Sequence, residues 1–175
     1  MTVVERTVAA SPEEMHDVGV RLGRSLQAGD LLILTGPLGA GKTTLTRGIG
    51  EGLGVRGPVQ SPTFVIARTH PSLVGGAPLV HVDAYRLANS DELDDLDLDF
   101  DGSVVVAEWG TGVVEPQDSW IEIEIERPVG AGAASEAASD AASDIEDEDW
   151  SEAPVEARRV TITGHGPRWA EGILV

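Results

Sequence analysis

The chain has no cysteine, one asparagine (Asn89) and one lysine (Lys42) among its 175 residues. Without cysteine there is no disulfide framework, and no thiolate to serve as nucleophile or metal ligand. A single asparagine far from the single lysine rules out the N-K-x-D signature with which GTPases read guanine. Positive charge is scarce altogether, with 12 basic residues against 30 acidic ones and a formal net charge of −18. Such a chain is poorly suited to holding nucleic acid or an anionic membrane through a broad basic patch. There is no apolar run long enough to span a bilayer and no leader pattern, so no membrane association is expected and the cytoplasm is the expected location.

The scarcity of lysine gives weight to where Lys42 stands. Gly36-Pro37-Leu38-Gly39-Ala40-Gly41-Lys42-Thr43 matches the phosphate-loop pattern G-x-x-x-x-G-K-[ST] in full. At this composition the match is expected by chance about 0.002 times, so an accidental glycine turn is a poor explanation. The context agrees. Leu31-Leu32-Ile33-Leu34 reads as a buried strand, and Leu45, Ile49 and Leu53 recur at helical spacing before Gly54, giving the order strand, loop, helix. Glycines at 36, 39 and 41 let the backbone approach phosphate without a Cβ. The amides of Leu38, Gly39, Ala40 and Gly41 are then expected to line a cradle at a helix N-terminus. Lys42 is expected to reach the β- and γ-phosphates, the Thr43 hydroxyl to ligate Mg²⁺, and Thr44 either to lie near the α-phosphate or to be an ordinary helix residue.

Ser11-Pro12-Glu13-Glu14 reads as a capping box opening a helix over 12–27, with Met15, Val18, Leu22 and Leu26 on one face. Further strands are expected at Phe64 to Thr69, at Leu79 to Val82, at Val104 to Ala107, across Ile121, Ile123 and Ile125, and at Val155 to Thr163. A short acidic helix is expected from Ser90. The length suggests one domain, divided into a phosphate-loop ATPase domain at 1–128, an acidic disordered insertion at 129–154, and a strand and tail at 155–175 that complete the domain. The stretch Ser135 to Glu152 holds eight acids and no base, which suits a solvated spacer or an acidic partner-binding segment.

Two apolar runs end in carboxylates, at Asp83 and Glu108. Beside a phosphate loop, one such acid serves the metal and another orients the attacking water. Asp83 is the preferred water-orienting base and Glu108 the preferred metal-side acid, although spacing leaves the reverse open. His81 is read as pointing away from Asp83 by strand alternation, and so as a packing residue. Tyr85 is also read as packing. Arg86 is expected to pair with the acidic 91–101 run or to reach phosphate, and Trp109 to pack or to face a functional surface.

Leu38-Gly39-Ala40-Gly41-Lys42-Thr43-Thr44, Ser61-Pro62-Thr63-Phe64, His81-Val82-Asp83-Ala84-Tyr85-Arg86-Leu87 and Glu108-Trp109 occur in this order. Together they resemble the TsaE family, the small ATPases of bacterial tRNA threonylcarbamoyladenosine synthesis. The resemblance implies an α/β fold: a single P-loop NTPase-like domain with a mainly parallel central sheet flanked by helices. It implies ATP and Mg²⁺ as cofactors and hydrolysis that is weak alone. The implied partners are TsaD and TsaB, with tRNA met only through them. It also places Thr63 on a loop near the γ-phosphate, Asp83 and Glu108 as the acidic site residues, Trp109 beside the nucleotide or a partner, and Thr7 near the adenine. Pro37 and the long acidic insertion depart from the family pattern. Two other functions compete with this one. A small-molecule kinase is disfavoured by an acidic rather than a basic insertion, and a nucleotide-switched adaptor would make hydrolysis incidental.

Overall fold

Strands that are apolar along their whole length, alternating with amphipathic helices, call for a parallel sheet covered on both faces. The computed structural model describes residues 1–62, 65–115, 117–127 and 157–174. At its centre is a seven-stranded sheet of order β1-β7-β6-β2-β5-β4-β3. The strands are β1 (Thr2–Ala9), β2 (Leu31–Thr35), β3 (Ala67–His70), β4 (Leu79–Asp83), β5 (Val104–Glu108), β6 (Trp120–Glu126) and β7 (Arg158–His165). The inner four, β6, β2, β5 and β4, run parallel. The outer pairings, β3 on β4, β7 on β6 and β1 on β7, are antiparallel. The expected α/β fold with a mainly parallel central sheet is therefore present.

Helices α1 (Pro12–Ser25) and α2 (Lys42–Leu53) cover one face. They bury Met15, Val18, Leu22, Leu45 and Ile49 against Leu32, Leu34, Val104, Val106 and Ile123. The other face of the β2, β5 and β4 region is closed by α3 (Ser90–Asp94) and the loops around it, through Leu87, Leu93 and Val114 packed on Ile33, Val80 and Val105. Among the described residues no helix is long and apolar enough to cross a membrane.

The two large helices meet through glycine. A Cβ on Gly19 would overlap the carbonyl oxygen of Leu45, one on Gly23 that of Ile49, one on Gly48 that of His16, and one on Gly52 that of Val20. Each helix thus places a pair of glycines four residues apart, on one face, against the other's backbone. Backbone cannot yield as a flexible side chain would, so Gly48→Ala is expected to cost about 1–3 kcal/mol of stability and to lower the melting temperature by several degrees. Gly76→Ala, whose Cβ would meet only an ordinary 3.7 Å contact with the Ser72 hydroxyl, should leave melting nearly unchanged. Equal melting losses in the two variants would sink this account of the helix pair.

Several expected boundaries shift. The first helix ends at Ser25, where Leu26 turns to extended backbone. The strand expected at 64–69 is β3 at Ala67–His70. Ile66 sits at φ 64°, a left-handed conformation that interrupts an extended run. The strand expected over 155–163 is β7, Arg158–His165. Thr63, Phe64 and the acidic 129–154 segment lie outside the described residues. Strand β1 has no counterpart among the expected strands. Its outward positions include Val4 and Val8 while Val3, Glu5, Thr7 and Ala9 turn inward, so its apolar residues are split between the two faces and give no clean alternation.

Candidate functional site

Helix α2 begins differently from its neighbours. At α1 the Ser11 hydroxyl accepts from the Glu14 amide (3.2 Å) while the Glu14 carboxylate accepts from the Ala10 amide (2.6 Å). At α3, Asn89 and Glu92 make the same reciprocal pair, at 3.1 and 2.7 Å. At α2 the N-cap is Gly41, with φ 107°, no side-chain cap and no acid in the first turn. The first-turn amides, which a helix cannot satisfy internally, are left for an anion at the positive end of the dipole. Gly39, at φ 75°, and Gly41 supply the left-handed turns that shape the loop. Gly36 answers to packing as well as to the phosphate approach expected of it. A Cβ there would lie 2.8 Å from the Ile125 carbonyl oxygen, against β6. Ala40 is buried and closes the turn with its amide on the Pro37 carbonyl (3.1 Å), whereas Leu38 at the loop tip is 90% exposed.

Lys42 is the first residue of α2 and is buried. Its Nζ donates to the carbonyls of Gly36 (2.7 Å) and Pro37 (3.0 Å), and lies 4.2 Å from the centre of the Trp109 ring. Burial holds the ammonium below the ordinary lysine value, while the nearby Glu108 and Asp83 carboxylates pull it back up. Thr43 and Thr44 follow, half-buried. The Thr46 hydroxyl is committed to the Lys42 carbonyl (2.8 Å).

The two strand-end acids meet because β4 and β5 are parallel neighbours in register. Asp83 lies directly opposite Glu108, and Glu108 opposite Leu34 of β2. Glu108 is therefore one strand from the strand that leads into the loop, and Asp83 two. Glu108 is 6% exposed. Asp83 is half-buried, and its Oδ1 accepts from the Tyr85 amide (3.2 Å). A 3-10 turn, Ala84–Arg86, brings Arg86 Nε to 3.8 Å from Asp83 Oδ2. Trp109 occupies left-handed backbone (φ 61°), and its amide is fixed on the Leu34 carbonyl (2.9 Å). Tyr85, expected to pack, is 76% exposed, with its ring tilted against Trp109 at 5.8 Å between centroids. Thr7 is opposite Val160, which is opposite Ile125 beside Gly36. That puts Thr7 three strand spacings, roughly 14 Å, from the loop's first glycine on the same face.

His81 is the residue that sequence reasoning misplaces. Residues two apart in a strand share a face, so His81 and Asp83 point the same way and Glu108 joins them through the register. His81 is fully buried, with Nε2 3.4 Å from Glu108 Oε2. The spacing H-x-D at a strand end is the signal that finds it.

The arrangement gathers a desolvated cation, open helix-terminal amides, hydroxyls and two carboxylates at the carboxyl edge of a parallel sheet. Residues 9–132 match the family model for "Threonylcarbamoyl adenosine biosynthesis protein TsaE". The chain is 53% identical over 160 residues to the "tRNA threonylcarbamoyladenosine biosynthesis protein TsaE" of Streptomyces coelicolor, covering 89% of this chain and 94% of that one. It is 42% identical over 127 residues to the Bacillus subtilis protein of the same description, covering 70% and 76%. Among solved structures it is similar to that of Bacillus subtilis YdiB, with 27% identity, a TM-score of 0.63, and coverage of 95% of this chain and 88% of that one.

Proposed function

The chain belongs to the TsaE family, and on that footing we propose that it is a Mg-dependent ATPase required for the N6-threonylcarbamoyladenosine modification of tRNA at adenosine 37, acting with the TsaD/TsaB complex. The observation that carries the reading is the uncapped start of α2, with Lys42 at its head and two carboxylates opposite. The donor set suits a magnesium triphosphate. The amides of Leu38, Gly39 and Gly41 to Thr44 offer hydrogen bonds to phosphate oxygens, whereas that of Ala40, expected in the cradle, is committed to the Pro37 carbonyl, and Lys42 contributes a fixed positive charge. The Thr43 hydroxyl and the Glu108 carboxylate would hold Mg²⁺. Among the described residues no three acidic or histidine side chains form a cage, and an ion held by one or two protein oxygens plus phosphates needs none. When bound, the ion would supply neutralisation of phosphate charge.

In this reading Asp83 orients the attacking water and takes its proton as the bond from the γ-phosphorus to ADP breaks. Thr7 lies towards the adenine, Thr63 towards the γ-phosphate, and Trp109 beside the nucleotide. The net charge of −18 supports a role in which tRNA is reached through the partners in the cytoplasm.

The test is release of inorganic phosphate from ATP, measured with and without TsaD, TsaB and tRNA. Slow release alone and at least about tenfold faster release in the full mixture is the expected result. No release under any condition would sink the hydrolase reading, leaving an adaptor if ATP still alters partner binding. Label from γ-phosphate appearing on a metabolite would establish a kinase instead.

A further inference from the structure

We propose that His81 is a positioning residue that fixes the carboxylate of Glu108 through an Nε2–H···Oε2 hydrogen bond. The inference rests on the reading of Glu108 as a site acid and adds a residue to that site.

His81 sits on β4 between Arg68 of β3 and Val106 of β5, on the face that carries Leu79 and Val106 into the core. Its side chain has no solvent exposure, and among the described residues neither ring nitrogen has a partner at good hydrogen-bond geometry. A buried polar atom left in that state costs about 1–3 kcal/mol, so an imidazole here is a poor choice for packing alone. The acceptor that can relieve it is Glu108 Oε2, 3.4 Å from Nε2. A small rotation of the carboxylate closes that gap to ordinary N–H···O length.

Glu108 ends its strand, and beyond it Trp109 departs into left-handed backbone. The neighbouring strand therefore does little to set the torsions of the Glu108 side chain. The bond from His81 would do so, engaging Oε2 from the core side and leaving Oε1 to the loop and Lys42. Groups that hold a ligating side chain from behind commonly contribute tenfold to a hundredfold to activity.

The test uses the full chain. In a long-range ¹H–¹⁵N spectrum of its four histidines, assigned by loss of one signal in His81→Gln, the Nε2 of His81 should carry hydrogen, and its resonance should move in Glu108→Ala. A bare Nε2, or a resonance indifferent to Glu108→Ala, overturns the proposal, and this measurement does not depend on turnover.

In the partner-stimulated assay, His81→Leu should lower kcat by about tenfold to a hundredfold, with ATP affinity within about threefold of the parent. His81→Gln, whose amide can donate from the same place, should recover most of the loss. Melting of His81→Leu should change by only a few degrees, because the lost hydrogen bond to Glu108 is offset by removal of a buried polar ring. Glutamine no better than leucine, or binding and turnover falling together, would count against positioning and for a packing role. Should His81→Leu fail to fold, packing is again favoured and the spectrum decides. A parent chain that hydrolyses nothing would defeat the functional reading and leave the His81–Glu108 bond to stand or fall on its resonance.

Discussion

Lys42→Ala is expected to weaken ATP binding by about a hundredfold or more and to remove measurable turnover. Lys42 is the sole lysine, and of the three described α-helices it heads the one without a side-chain cap. Its ammonium is held by the Gly36 and Pro37 carbonyls and by the Trp109 ring, so little rotamer freedom remains to be lost when a phosphate arrives. A charge-assisted bond of this kind is worth about 1.5–3 kcal/mol. The larger part of that range is expected here because burial has already desolvated the cation, and about 2.8 kcal/mol corresponds to a hundredfold. Turnover should suffer further, since the charge gathering on the phosphate oxygens in the transition state would lose its fixed counter-charge. Titration calorimetry with a non-hydrolysable ATP analogue measures the first effect and phosphate release the second. The alanine protein should melt close to the parent, because the change also removes a cation whose burial is unfavourable. Affinity within threefold of the parent would remove Lys42 from the phosphate site and with it the reading of the loop.

The second large effect is expected at Glu108. Glu108→Gln should reduce kcat by about a hundredfold to a thousandfold while leaving ATP affinity within a few-fold, and the Mg²⁺ concentration for half-maximal rate should rise. Glutamine keeps the volume and one oxygen of a side chain that is only 6% exposed, so the fold is preserved and the lost charge is what is measured. Asp83→Asn is expected to lower kcat at saturating Mg²⁺ without that shift. The distinction follows from register: Glu108 lies opposite Leu34, at the end of the strand that enters the loop, and Asp83 is one strand further out. If both variants lose binding and turnover in equal measure, the separate roles fall.

Glu108 and Asp83 are legible in the amino-acid sequence because each closes an apolar run, and parallel strands deliver their carboxyl ends to the same edge of the sheet. Lys42 is legible because the loop pattern states its own geometry. What escapes has other causes. Strand β1 divides its apolar residues, with Val4 and Val8 to solvent and Val3 and Ala9 inward beside Glu5 and Thr7, so no alternation marks it and only the pairing with β7 reveals it. Tyr85 is core material by residue type, but the 3-10 turn after Asp83 lifts it out of the sheet. His81 is lost to an error of phase, since a residue two positions from Asp83 cannot lie on the opposite face. The glycine pairs at 19 and 23 and at 48 and 52 carry meaning only once α1 and α2 are known to be neighbours.

Those four glycines also govern what is free to move. With backbone set against backbone at four points, α2 can neither slide along α1 nor roll upon it without driving a carbonyl into the opposing chain. The pair behaves as one stiff body. Admission and release of a nucleotide are then tasks for the groups at its margin: the turn from Gly36 to Gly41 and the exposed Tyr85 ring tilted against Trp109. Motions of short loops run on nanosecond to microsecond scales, so exchange at this site should be gated locally, with the helices serving as a fixed anvil beneath it.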